Sequence, residues 1–216
     1  TEELRLAHQD ERRTKLIKGK IGEFSEEDLI PNEPTVITLT QTGYIKRMNP
    51  SNFRSQSRGG KGKVGLKMKT EDMVRNLLSA QTHDSLLVFT NQGKVFKLKA
   101  HEIPEASRQA KGTAIVNLIE LQSNETVQSL LVIDEQKDQD KFISLVTRHG
   151  LVKKSAVNLY QNIRQNGIIA IALNQDDQLV KCALTFCDND LLLVTYQGKV
   201  IRFSEKEVKS SERDTK

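Results

Sequence analysis

A chain of 216 residues, 37 % of them hydrophobic, is long enough to bury a core, either as one all-β body or as two smaller units. No run approaches the roughly 18 apolar residues of a membrane span, and Thr1-Glu2-Glu3-Leu4-Arg5 has neither the basic nor the apolar region of a signal peptide, so a cytoplasmic protein without a membrane partner is expected. The net charge of +5 and pI near 9.1 favour a polyanionic partner only where the positive charge is concentrated.

Taken in chain order, Glu2 to Gln9 has the character of the end of a helix, and residues 1–17 are expected to close a preceding domain. Lys18 to Pro34 holds two prolines and the acidic run Glu26-Glu27-Asp28, the composition of an interdomain linker. The main body is expected from Thr35 to the last residue.

That body opens with a strand-turn-strand unit, Val36 to Arg47, that recurs without gaps as Leu86 to Lys97, Ile143 to Lys154 and Leu191 to Arg202. The shared rule is T-x-x-G-x-[VI]-x-[KR]. Glycine supplies a positive-φ turn position, and the β-branched residue two later faces the core from the returning strand. Arg47, Lys97, Lys154 and Arg202 fall at one repeat position. Each alone is a solvated strand end whose stem covers the core; four in register suggest a charge track.

The turn glycines Gly43, Gly93, Gly150 and Gly198 are 50, 57 and 48 residues apart, the repeat length of four-stranded propeller-type blades rather than of helical solenoids. Further strands are predicted at Val64 to Lys69, Val74 to Ser79, Thr113 to Leu118, Val127 to Ile133, Ile168 to Leu173 and Leu179 to Phe186. Each repeat can thus fill its own antiparallel sheet, with repeats near 35–82, 83–139, 140–187 and an incomplete one at 188–216.

The most basic loop follows the first hairpin: Gln56-Ser57-Arg58-Gly59-Gly60-Lys61-Gly62-Lys63. Its glycines let the main chain approach a surface, while Arg58, Lys61 and Lys63 supply charge. Gly60 to Gly65 matches G-x-G-x-x-G letter for letter, but the upstream segment is too polar for a buried strand and Leu66 to Thr70 alternates at the strand period, so the dinucleotide reading fails on context. A P-loop fails as well, because Leu66 stands where its lysine belongs. The loop is one of a series with Arg108-Gln109-Ala110-Lys111-Gly112 and Arg164-Gln165-Asn166-Gly167. Gly62 and Gly112 each lie 19 residues after their turn glycine, and Gly167 lies 17 after its own. Arg213 and Lys216 fit the next member, so the chain is expected to stop in mid-repeat, as a fragment.

Catalytic chemistry finds no support. Cys182 and Cys187 are five apart, a separation that along a strand would point them to opposite faces, so a metal site is not expected. His8, His83, His101 and His149 are dispersed, and no nucleophile and base pair up in sequence. With no Trp and few aromatics, stacking on single-stranded bases is disfavoured.

The chain resembles the C-terminal domain of the A subunit of bacterial DNA gyrase, with the last helix of the domain before it. Gln56 to Gly62 is similar to that family's signature box, usually Q-R-R-G-G-K-G, with Ser57 in place of one arginine; Glu11-Arg12-Arg13-Thr14, Phe89 to Val95, Glu102 to Ser107 and Asn166 to Ile171 also resemble the family. The resemblance implies an all-β, six-bladed β-pinwheel, of which about four blades are present, wrapping duplex DNA on its rim. It implies that the catalytic tyrosine, ATP and Mg lie elsewhere in the holoenzyme, whose other parts, the N-terminal domain of the gyrase A subunit together with the gyrase B subunit, are the partners. The chain alone is then non-catalytic, free of cofactors and monomeric. Topoisomerase IV has a corresponding domain with a degraded or absent box; intact Arg58-Gly59-Gly60-Lys61-Gly62 favours gyrase.

Expected DNA contacts are Gln56, Arg58, Gly59, Gly60, Lys61, Gly62 and Lys63 in the box, with Arg47, Lys97, Arg108, Lys111, Lys154, Arg164 and Arg202 continuing the track. From the repeats alone, a propeller-type protein-interaction module competes with this reading, its basic residues serving only solubility.

Overall fold

One hairpin, used repeatedly, builds the protein. In the computed structural model, which describes Glu2 and residues 26–53 and 72–216, β1 (Pro34–Thr40) returns as β2 (Tyr44–Met48) and β4 (Ser85–Thr90) as β5 (Lys94–Lys99). Likewise β8 (Phe142–Thr147) returns as β9 (Val152–Ala156) and β12 (Asp190–Val194) as β13 (Val200–Ser204). Apart from Glu2, the helix expected at 1–17 lies outside the described residues, as do the glycine loop at 56–63 and the strand expected at Val64 to Lys69. The chain divides into two compact units, Thr1–Pro31, in which a short 3-10 turn at Glu26–Leu29 is described, and Asn32–Lys216. Among the described residues no helix is long and apolar enough to cross a membrane.

The turns explain the repeated Thr and Gly together. Gly43, Gly93, Gly150 and Gly198 have φ of 87°, 77°, 85° and 78°, the left-handed region in which a Cβ is strained. Each glycine N–H donates to the carbonyl of its repeat threonine, at 3.1, 3.1, 3.0 and 2.9 Å. The hydroxyls of Thr40, Thr90, Thr147 and Thr195 then accept from the backbone N–H four residues on, at 3.1 to 3.3 Å. The threonine thus closes the turn twice, once through its main chain and once through its side chain.

A third strand flanks three of the hairpins: β3 (Val74–Gln81) beside β1, β7 (Val127–Ile133) beside β4 and β11 (Leu179–Thr185) beside β8, all antiparallel. The fourth strand is where the structure departs from expectation. β6 (Thr113–Ala114) follows β5 in sequence but pairs with β2, and β10 (Ile168–Ile169) follows β9 but pairs with β5. Each of these sheets therefore borrows its edge from the next repeat instead of filling itself, giving the orders β3-β1-β2-β6, β10-β5-β4-β7, β11-β8-β9 and β12-β13. The borrowed strands are two residues long, shorter than predicted, because the chain then turns inward to bury Ile115 and Ile119 in one core and Ala170 and Ile171 in another.

Those cores lie on the two faces of β4, every residue of which is buried. At the strand period of two, Leu86 and Val88 join Ile37, Leu39 and Ile45 in the first core, while Leu87 and Phe89 join Ile143 and Leu145 in the second. The β-branched repeat residue is fully buried at Ile45 and Val95 but 59 % exposed at Val200, where no further described sheet packs. Cys187 falls beyond the end of β11 with φ 69°, so the opposite-face argument for the two cysteines does not apply.

Candidate nucleic-acid interface

The predicted box residues Gln56, Arg58, Gly59, Gly60, Lys61, Gly62 and Lys63 lie outside the described residues; the later loops of the series are described in full. Residues 104–112 are fastened along β2 of the preceding sheet. Arg47 N–H donates to Pro104 O at 3.2 Å and Ala106 N–H to Arg47 O at 3.0 Å. Next, Lys46, 1 % exposed, donates its ammonium to Ser107 O at 3.2 Å, Arg108 O at 2.7 Å and Ala110 O at 2.9 Å. Gly112, at φ 91°, then comes so close to β2 that a Cβ there would stand 2.5 Å from Ile45 O. β6 completes the attachment by pairing Thr113 with Ile45 and Ala114 with Tyr44.

Two cations project from this fastened loop. Arg108 is half-buried, with no side-chain partner among the described residues. Lys111 is exposed, its Nζ 3.5 Å above the Tyr44 ring, a placement in which aromatic electrons partly support the charge.

The same attachment recurs between the third and fourth repeats. Lys153, buried on β9, donates to Ala170 O, Arg213 O and Thr215 O at 3.1, 2.5 and 2.8 Å, and Ser211 N–H donates to Lys154 O at 2.9 Å. Burial pulls the Lys153 amine down to about 8, with Asp214 and Glu212 pulling it back up, and burial lowers Lys46 as well. In the shorter loop between them the lysine's position belongs to Phe96. A Cβ on Gly167 would meet the Phe96 ring at 2.8 Å, so glycine and ring pack face to face. Arg164 projects from that loop and is exposed.

The repeat-position cations behave differently from the loop cations. Arg47 Nε donates to Ile103 O at 3.1 Å, Lys97 Nζ to Gln161 O at 2.9 Å and Lys154 Nζ to Glu205 O at 3.0 Å, each reaching the segment that follows the next hairpin. Lys97 also pairs with Glu135 at 2.7 Å; burial pushes that carboxyl up, but Lys97, Ser85 and Lys99 outweigh it and hold it below its ordinary value. Lys154 is 3 % exposed and lies 3.8 Å from the buried Glu205 carboxylate. Arg202, with its side chain 72 % exposed, pairs with Asp190. The structure therefore brings these side chains into ties within and between blades, while Arg108, Lys111 and Arg164 of the described loops have no ion-pair partner among the described residues.

Lys46 and Lys153 escaped the sequence reading. The signal was there only in part: Ile45-Lys46-Arg47 and Val152-Lys153-Lys154 set a lysine inside a returning strand of which only the β-branched face is expected in the core, and once the next repeat covers the other face the ammonium must find acceptors inside.

Known proteins carry the same pattern. The family model described as DNA gyrase C-terminal domain, beta-propeller, matches residues 34–81, 84–134, 141–185 and 189–216, one stretch for each repeat. The DNA gyrase A subunit of Clostridium acetobutylicum is 44 % identical over 96 % of this chain and 25 % of its own length. That of Staphylococcus epidermidis is 43 % identical over 91 % of the chain and 22 % of its own. The chain thus spans about a quarter of the length of these relatives. Among solved structures, the C-terminal domain of DNA topoisomerase IV matches with a TM-score of 0.72 at 30 % identity, over 86 % of this chain and 56 % of that one. A DNA gyrase A C-terminal domain matches at 0.66 and 26 % identity, over 85 % and 58 %. With four repeats of one hairpin, borrowed sheet edges and a family match covering most of its length, the chain belongs to the DNA gyrase C-terminal domain family of beta-propellers.

Proposed function

We propose that this chain is the DNA-wrapping module of a gyrase A subunit. It binds duplex DNA without reading sequence and bends it along its basic loops, so that the holoenzyme introduces negative supercoils with ATP bound elsewhere. Membership of the family carries this reading, and the outward placement of Arg108, Lys111 and Arg164 on successive loops supports it. Bending a site of 20–30 base pairs costs about 1–6 kcal/mol, which phosphate contacts at successive blades offset. Arg58, Lys61 and Lys63 of the box anchor the wrap, and Arg108, Lys111 and Arg164 continue it. Arg47, Lys97, Lys154 and Arg202 act mainly as ties within the body. The chain itself cleaves no DNA. The chemistry comes from the N-terminal domain of the gyrase A subunit together with the gyrase B subunit, in an assembly that works in the cytoplasm.

Sealing a nicked circle with ligase in the presence of the protein tests this. Wild type shifts the linking number, and a variant with Arg58→Ala and Lys61→Ala does not; equal shifts defeat the assignment of the box. The likeness to a C-terminal domain of DNA topoisomerase IV favours a second reading, the corresponding domain of that enzyme; duplex affinity that falls steeply with salt while the linking number stays unchanged would show binding without wrapping.

A further inference from the structure

Two lysines inside the body hold the same part of two loops of the series, with the Phe96-backed loop between them. Lys46 takes the carbonyls of Arg108 and Ala110, and Lys153 those of Arg213 and Thr215, at equivalent places in the loop series. An ammonium has three N–H donors in tetrahedral directions, and each of these lysines has three carbonyl acceptors within hydrogen-bond distance. The carbonyls of a basic loop turned toward DNA would set partial negative charge against phosphate. Drawn inward to a buried cation, they leave the opposite side of the loop to Arg108 and Lys111. The tethers on either side, Ala106 N–H to Arg47 O and the Gly112 approach to Ile45 O, fix the loop's ends, so the lysine governs only the bend between them.

Building on the DNA-binding reading above, we propose that Lys46 and Lys153 are positioning residues for DNA. Each fixes the inward turn of a loop's carbonyls and so presents the loop's cations to the phosphate backbone, although neither lysine touches DNA itself. The positions are not interchangeable with surface lysines: at 1 % and 2 % exposure their own charge is beyond contact with a ligand.

The test uses the whole chain and a short random-sequence duplex, with affinity measured across a salt series, together with amide hydrogen exchange and thermal unfolding. Wild type sets the baseline slope of log K against log salt, and the double variant Arg108→Ala, Lys111→Ala lowers its magnitude by about 0.9 for each phosphate that is no longer neutralised. Lys46→Met, which keeps the length and the buried stem, is expected to lower the slope as much as that double variant and to speed exchange at Gln109–Lys111. Adding it to the double variant should change nothing further. A merely structural lysine would lower the melting temperature and leave the slope of the folded protein intact. An unchanged slope in Lys46→Met, or a loss that adds to that of the double variant, overturns the proposal. Lys153→Met with Arg213→Ala repeats the comparison independently should Lys46→Met fail to fold. A wild-type chain that shows no salt-dependent duplex binding sinks the DNA-binding reading instead, and exchange at Gln109–Lys111 in Lys46→Met still decides whether the lysine holds the loop.

Discussion

The loops at 107–112 and 164–167 occupy the same place in consecutive repeats and are fastened by opposite chemistry, a buried ammonium under one and a phenyl ring under the other. Length accounts for the difference. The first loop reaches its glycine 19 residues after the turn, the second in 17, and the longer path turns Ser107, Arg108 and Ala110 carbonyls into the interior. Buried carbonyls without donors are costly, so an apolar ring under the long loop would leave orphans. The short loop presses its glycine against the ring, and packing suffices.

Removing the ring should produce the largest effect. Phe96 is 1 % exposed and packs in the first core as well as under Gly167, so Phe96→Ala is expected to cost about 3–5 kcal/mol in urea unfolding. Exchange should quicken at Asn166–Ile168 and stay slow at Thr113–Ile115. Equal loosening of both loops would mean that the two fastenings are not separate.

Gly112→Ala comes next. The substitution carries the left-handed penalty of about 1–2 kcal/mol and also drives Cβ toward Ile45 O, a backbone atom that cannot swing aside. Gly150, at φ 85° with nothing within 4 Å of its Cβ position, carries only the first part. The urea midpoint should therefore fall further for Gly112→Ala than for Gly150→Ala; equal falls would show that loop closure against β2 adds nothing to stability.

The lysine fastening also has a pH signature. Below about pH 8 both the folded and the unfolded chain keep Lys153 protonated, and the folded state bears the full penalty of the buried charge. Between about 8 and the ordinary 10.5 the unfolded chain still holds the proton while the folded chain has released it, so stability rises with pH across that window. Measured as the difference from Lys153→Met, which cancels the other titrating groups, wild type should gain relative stability from pH 8 upward. A flat difference would place the amine at its ordinary value.

Much of this was legible in the residues, for identifiable reasons. The hairpins were visible because T-x-x-G-x-[VI]-x-[KR] encodes a turn through local bonds, among them Gly43 N–H to Thr40 O and Tyr44 N–H to the Thr40 hydroxyl. Strand exchange was not, since Thr113 and Ala114 have the same β-forming character whether they pair with their own sheet or with β2 of the one before. Burial on both faces of a strand was hidden for a related reason. Lys46 lies opposite Ile45 in the alternation and looks solvent-facing until the next blade's loop is brought over it. Pattern reveals what a segment makes with itself, and the ties between blades belong to pairs of segments some 60 residues apart, as Lys46 and Arg108 are at 62.

Arg202 supplies the smallest and most discriminating effect. It shares its repeat position with Lys154, but Lys154 sits beside the fully buried Glu205 carboxylate, whereas the Arg202 side chain is 72 % exposed beside Asp190. An exposed pair contributes about 0–1 kcal/mol, since water competes for both charges, so Arg202→Gln should leave the urea midpoint almost unmoved. Its influence on DNA should be equally small, because Asp190 already neutralises the guanidinium and the duplex would have to displace that carboxylate to reach it. A drop in the salt slope approaching 0.9 for Arg202→Gln would mean that the displacement occurs and that this hairpin contacts phosphate directly. No measurable drop would leave the outward charge with the loops, where Arg108, Lys111 and Arg164 have no carboxylate beside them among the described residues.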